Sequence, residues 1–73
     1  MSPSALMRIT VNGKAEQTPS GATIAQLLAQ RQIRPEVVTV ELNDAIIDRA
    51  RLGETVLREG DRVELVFYMG GGI

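Results

Sequence analysis

The chain has 73 residues, eight Lys and Arg against nine Asp and Glu, a net charge of −1, and neither cysteine nor histidine. These facts exclude a second domain, a disulfide framework, a thiolate nucleophile, and the commonest general base and metal ligand. The acidic residues are scattered singly, which argues against a carboxylate metal site. The arginines are interspersed with them, which argues against the basic stripe that nucleic-acid binding needs.

Residues 1–5 read as a loose leader. Residues 1–7 have no basic n-region and no long apolar h-region of a signal peptide. The longest apolar run, Leu65-Val66-Phe67-Tyr68-Met69, falls far short of the roughly 20 residues a membrane helix needs. A cytoplasmic protein with no membrane partner is expected.

Met7, Ile9 and Val11 alternate with Arg8 and Thr10, the period of a half-buried strand. Asn12-Gly13 is a type I′ hairpin signal, because both central residues of that turn need positive φ. Residues 14–18 then return as a short polar edge strand, and Lys14 and Glu16 discourage edge-to-edge pairing. After the turn Pro19-Ser20-Gly21, Thr23-Ile24-Ala25-Gln26 has the form of a capping box. Ile24, Leu27 and Leu28 make one apolar helical stripe. The helix is predicted over residues 24–32, with Pro35 forbidding its continuation.

Residues 37–42 are rich in β-branched side chains and alternate, with Val38, Val40 and Leu42 inward. Asn43-Asp44 is a turn, and Ala45-Ile46-Ile47 a short strand or extended segment. Residues 48–54 read as polar and irregular. Thr55-Val56-Leu57 is ambiguous, with a short bridge as one reading. Glu59-Gly60-Asp61 is a turn. Residues 62–68 form the last strand, with Val63, Leu65 and Phe67 on one face and Glu64, Val66 and Tyr68 on the other. Phe67 is assigned to the core.

One helix must therefore cover one face of a mixed sheet of four or five strands, an α+β layer. First and last strands are expected to be central and parallel. This is the β-grasp, or ubiquitin-like, plan. The domain is expected over residues 6–69, followed by a flexible glycine tail over 70–73.

That tail, Gly70-Gly71-Gly72-Ile73, offers no side chain to pack until its last residue. It leaves directly from the last strand, and four extended residues reach on the order of 13 Å. Such a chain end suits threading into a partner's narrow active site. A terminal carboxylate can attack the α-phosphate of ATP, and the resulting mixed anhydride is open to a sulfur nucleophile. The carrier of that carboxylate needs no catalytic residue of its own.

Other candidates are weaker. Val66, Tyr68 and Met69 either form an apolar patch that docks an activating enzyme or pack on neighbouring elements. Arg49, Arg51 and Arg62 read as solvated surface charges. Glu41 and Glu64 lie on outward faces of strands, which argues against acid–base catalysis.

The chain resembles the ThiS/MoaD group of sulfur carriers, and within it the thiamine-biosynthesis (ThiS-type) members. The resemblance is carried by Ile9-Thr10-Val11-Asn12-Gly13, by Thr23-Ile24-Ala25-Gln26-Leu27-Leu28, by Val38-Thr39-Val40-Glu41-Leu42-Asn43, by residues 57–66, and by Phe67-Tyr68-Met69-Gly70-Gly71-Gly72. It implies a protein cosubstrate and not an enzyme. It implies activation of the C-terminal glycine by a ThiF/MoeB-type, ubiquitin-activating-like adenylyltransferase that consumes ATP, with no cofactor bound to the carrier. The glycine would become a thiocarboxylate that supplies sulfur to thiazole synthase. By position, Gly72 would carry the sulfur. The family pattern ends on the second glycine, whereas Ile73 follows here, so removal of Ile73 by a peptidase is expected. Alternatives are a carrier for molybdopterin, cysteine or a secondary metabolite, a ubiquitin-like protein modifier, or a binding module with an idle tail. An iron–sulfur β-grasp carrier is excluded because its clusters need cysteine thiolates.

Overall fold

A computed structural model describes residues 5–68 of the chain. The expectations for residues 1–4 of the leader, and for Met69, Gly70, Gly71, Gly72 and Ile73, lie outside the described residues. Five strands form one mixed sheet: β1 (Leu6–Val11), β2 (Lys14–Pro19), β3 (Val38–Leu42), β4 (Ala45–Ile47) and β5 (Arg62–Phe67). Their order across the sheet is β2-β1-β5-β3-β4. One helix, α1 (Ile24–Gln30), buries Ile24, Leu27 and Leu28 against it. This is the β-grasp arrangement, with β1 and β5 parallel and interior and β2 at an edge.

Local chemistry explains the elements. Asn12 and Gly13 both take positive φ, 51° and 82°, so the β1–β2 turn needs residues that tolerate the left-handed region. Asn12 also does a second task. Its side-chain oxygen accepts the Leu65 N–H at 2.7 Å, and its own N–H donates to the Val63 carbonyl at 2.9 Å. The side chain thus adds a rung between β1 and β5 where the strand backbone has already turned away.

The helix is capped at both ends. Thr23 Oγ1 accepts the Gln26 N–H, and the Gln26 side chain accepts the Thr23 N–H. The Ile24 and Ala25 N–H groups donate to the carbonyls of Thr55 and Leu52. The helix's first donors, orphaned by geometry, are thereby satisfied. At the other end the helix stops short of the predicted residue 32. Gln32 turns left-handed at φ 60°, and the N–H groups of Gln32 and Ile33 donate to the carbonyls of Ala29 and Leu28. This is a Schellman ending, with Ile33 folded against the core. The stop precedes Pro35, which instead opens a 3-10 turn (Pro35–Val37). Val37 belongs to that turn, so β3 begins one residue later than predicted.

Residues 48–54 are less irregular than their composition indicates. They hold a 3-10 turn (Arg49–Arg51) and a fully buried Leu52. The bridge over residues 55–57 exists, between Val56 and Thr23, and Leu57 is in the core. The segment serves as the lid on the N-terminus of α1.

Phe67 is not core. Alternation places it on the helix side with Val63 and Leu65, which are buried, yet it is 46% exposed. It sits at the end of β5 opposite Val38, where the sheet outruns its helical cover. Leu65→Ala is expected to cost roughly 2–5 kcal/mol, whereas Phe67→Ser costs less than about 1 kcal/mol, because little apolar area leaves water there. Urea unfolding of the two variants checks the contrast. Asn12→Gly keeps the turn's φ angles and removes only the acceptor. It is expected to cost roughly 1–3 kcal/mol and to speed amide exchange at Leu65.

Candidate functional site

The candidate site is the end of β5. This strand lies between β1 and β3, so both of its edges are paired. Its register with β3 runs from Val63 opposite Leu42 to Phe67 opposite Val38. One residue further, the Tyr68 N–H donates to the Val37 carbonyl at 3.1 Å. The Tyr68 hydroxyl shares a 2.8 Å hydrogen bond with Thr39 Oγ1. Both the backbone and the side chain of Tyr68 are therefore tied to the β3 region, immediately before the glycine run in the sequence.

The face of the sheet away from α1 carries Glu64, Val66 and Tyr68 on β5, Thr39 and Glu41 on β3, and Ile46 on β4. Val66 and Tyr68 are exposed, 49% and 54%. They do not pack on elements of this domain. Ile46 is 69% exposed and extends the apolar surface two strands away, which the sequence reading had not singled out. With Phe67 exposed on the opposite face, the end of β5 is apolar on both sides.

Glu41 and Glu64 are directly opposite each other in the β3–β5 register. Glu41 is half-buried and Glu64 exposed. The three arginines are dispersed. Arg62 holds Asp44 at 2.9 Å. Asp44 raises the guanidinium's pKa through that hydrogen bond and through its charge, with a smaller contribution from Glu64. Arg51 lies at the limit of contact with Glu54, 4.0 Å. Arg49 stands exposed on its 3-10 turn. They form no common basic surface with the end of β5.

Among the described residues, no group of three or more acidic, histidine or cysteine side chains is placed to hold a metal. The largest groove, about 460 Å³, is open to solvent. It lies between the end of β2 and α1, and Gln26 and Gln30 are its largest polar side chains. It is on the opposite edge of the sheet from β4 and brings together no acid–base or nucleophilic set. No helix of the described residues is long and apolar enough to cross a membrane.

A model of the ThiS family matches residues 5–72. Over 66 residues the chain is 39% identical to a thiazole synthase of Magnetococcus marinus, covering 90% of this chain and 20% of that protein. It thus spans about a fifth of the thiazole synthases it matches. It is 37% identical over 65 residues to the sulfur carrier protein ThiS of Bacillus subtilis, covering 88% of this chain and 98% of that one. The crystal structure of a thiamine biosynthesis protein (ThiS) from Geobacter metallireducens superposes with a TM-score of 0.73 at 40% identity, over 90% of this chain and all of that one. The chain belongs to the ThiS family.

Proposed function

We propose that this chain is a sulfur carrier in thiamine biosynthesis, working in the cytoplasm as a protein cosubstrate with no turnover of its own. Gly72 is the sulfur-carrying residue. An adenylyltransferase of the ThiF/MoeB type binds the chain and takes Gly70, Gly71 and Gly72 into its active site. The Gly72 carboxylate attacks the α-phosphate of ATP and pyrophosphate leaves. A sulfur nucleophile then displaces AMP, and the resulting thiocarboxylate supplies sulfur to thiazole synthase. ATP is consumed by the partner, and the carrier binds no cofactor.

The observation that carries this reading is the extent of the family match, which runs through Gly72 and leaves Ile73 outside. The sulfur carrier of B. subtilis matches over nearly its whole length, which supports a carrier role. The thiazole synthases that contain a similar segment support thiazole synthase as the acceptor. The end of β5 fits the role mechanically. Val66 and Tyr68, with Met69 beyond them, offer apolar docking surface beside the point where the glycine run begins.

Whatever follows Gly72 ties its carbonyl into an amide, which cannot be adenylated. Removal of Ile73 by a peptidase is therefore part of the proposal. The Cβ-branched side chain of Ile73 at the reacting carbon would also defeat the steric reason for glycine. Chains ending at Gly72 and at Ile73 are to be incubated with ATP, a ThiF-type adenylyltransferase and a sulfide donor, and weighed intact. The shorter chain is expected to exchange one oxygen for sulfur, and the longer one to stay unchanged. Equal modification of both would remove the precursor role of Ile73, and modification of neither would remove the carrier reading.

A further inference from the structure

The outer sheet face contains an electrostatic feature that the fold itself does not use. Glu41 and Glu64 face each other across β3 and β5. Side chains at such positions stand about 4.5–5.5 Å apart at Cβ, and like charges there destabilise a sheet. Among the described residues no cation lies within salt-bridge distance of either carboxylate. Arg62, two residues before Glu64, is engaged by Asp44. Ile46 lies opposite Glu41 on its other side, so one row across the sheet reads Ile46, Glu41, Glu64. The next row toward the end of β5 is Thr39 and Val66. Two like charges are thus set in apolar surroundings, next to the surface that the proposed function assigns to docking.

We propose that this row is the charged half of the docking surface, and that its occupant is thiazole synthase presenting an arginine that lies between the two carboxylates while apolar side chains cover Ile46, Val66 and Tyr68. A guanidinium suits the place because its planar fork can donate to two carboxylates at once. The inference rests on the carrier reading above, which supplies thiazole synthase as the partner. The electrostatic repulsion within the free carrier is relieved on binding, so the same two residues that weaken the isolated fold strengthen the complex.

The test is calorimetric titration of thiazole synthase from the same organism with the chain and with its Glu41→Gln, Glu64→Gln double variant, at low and high salt. The double variant is expected to bind about tenfold more weakly or worse at low salt and to lose most of the salt dependence of Kd. Its urea midpoint is expected to be equal to or above that of the parent, which excludes misfolding as the cause. Equal affinity and equal salt dependence overturn the proposal. So does a carrier that only self-associates through this face, seen by sedimentation. A Val66→Asp variant separates the two readings. If it alone abolishes binding, the apolar docking surface stands and the arginine contact falls. Absence of any binding by the parent chain overturns the contact, while formation of the thiocarboxylate reports on the carrier reading independently.

Discussion

β1 and β5 lie side by side although the residues that join them are far apart in the chain; Asn12 and Leu65 are separated by 53 positions. Their parallel register covers only two residue pairs, Thr10 with Arg62 and Val11 with Val63. Additional bonds hold the contact together. The Gly60 N–H donates to the Arg8 carbonyl, the Thr10 N–H to the Asp61 carbonyl, and the Asn12 N–H to the Val63 carbonyl. The Asn12 side chain then reaches Leu65. Without this seam, β5 would have β3 as its only partner, and Val63 and Leu65 would lose one side of their enclosure. The position of Tyr68 and the shape of the outer face both follow from it.

Much of this was legible in local chemistry. Asn12-Gly13 specifies its turn by backbone sterics, and Thr23 with Gln26 specifies the start of α1 by two reciprocal hydrogen bonds. The alternation in β1, β3 and β5 assigns each residue to a face. What alternation cannot supply is how far the cover on that face extends, and Phe67 fell outside it. Leu52 was illegible for a different reason. It is a lone apolar residue in a polar segment, with no periodicity to reveal that its carbonyl caps α1. Gln32 escaped because a left-handed glutamine has no compositional signal, while Pro35 three residues later gave a misleading one.

The candidate site divides in the same way. The glycine run and the apolar end of β5 were readable from residue types alone. The opposition of Glu41 to Glu64 depends on strand register, and so does the placement of Ile46 beside them. Neither follows from the sequence of any single strand. The surface that emerges is small, mixed in character and free of catalytic groups among the described residues. That suits a protein that is handled by enzymes and does no chemistry of its own.

The strand that precedes the glycines is inserted between two strands that the chain has already produced. Val63 and Leu65 fill the middle of the core, so α1, β1 and β3 have no shared interior until residue 67 has left the ribosome. Closing the fold and anchoring the base of the tail are therefore one event. A nascent or damaged molecule with an incomplete sheet offers a partner neither the paired end of β5 nor the outer face beside it. The insertion order makes the domain its own quality control: only a finished molecule can be charged.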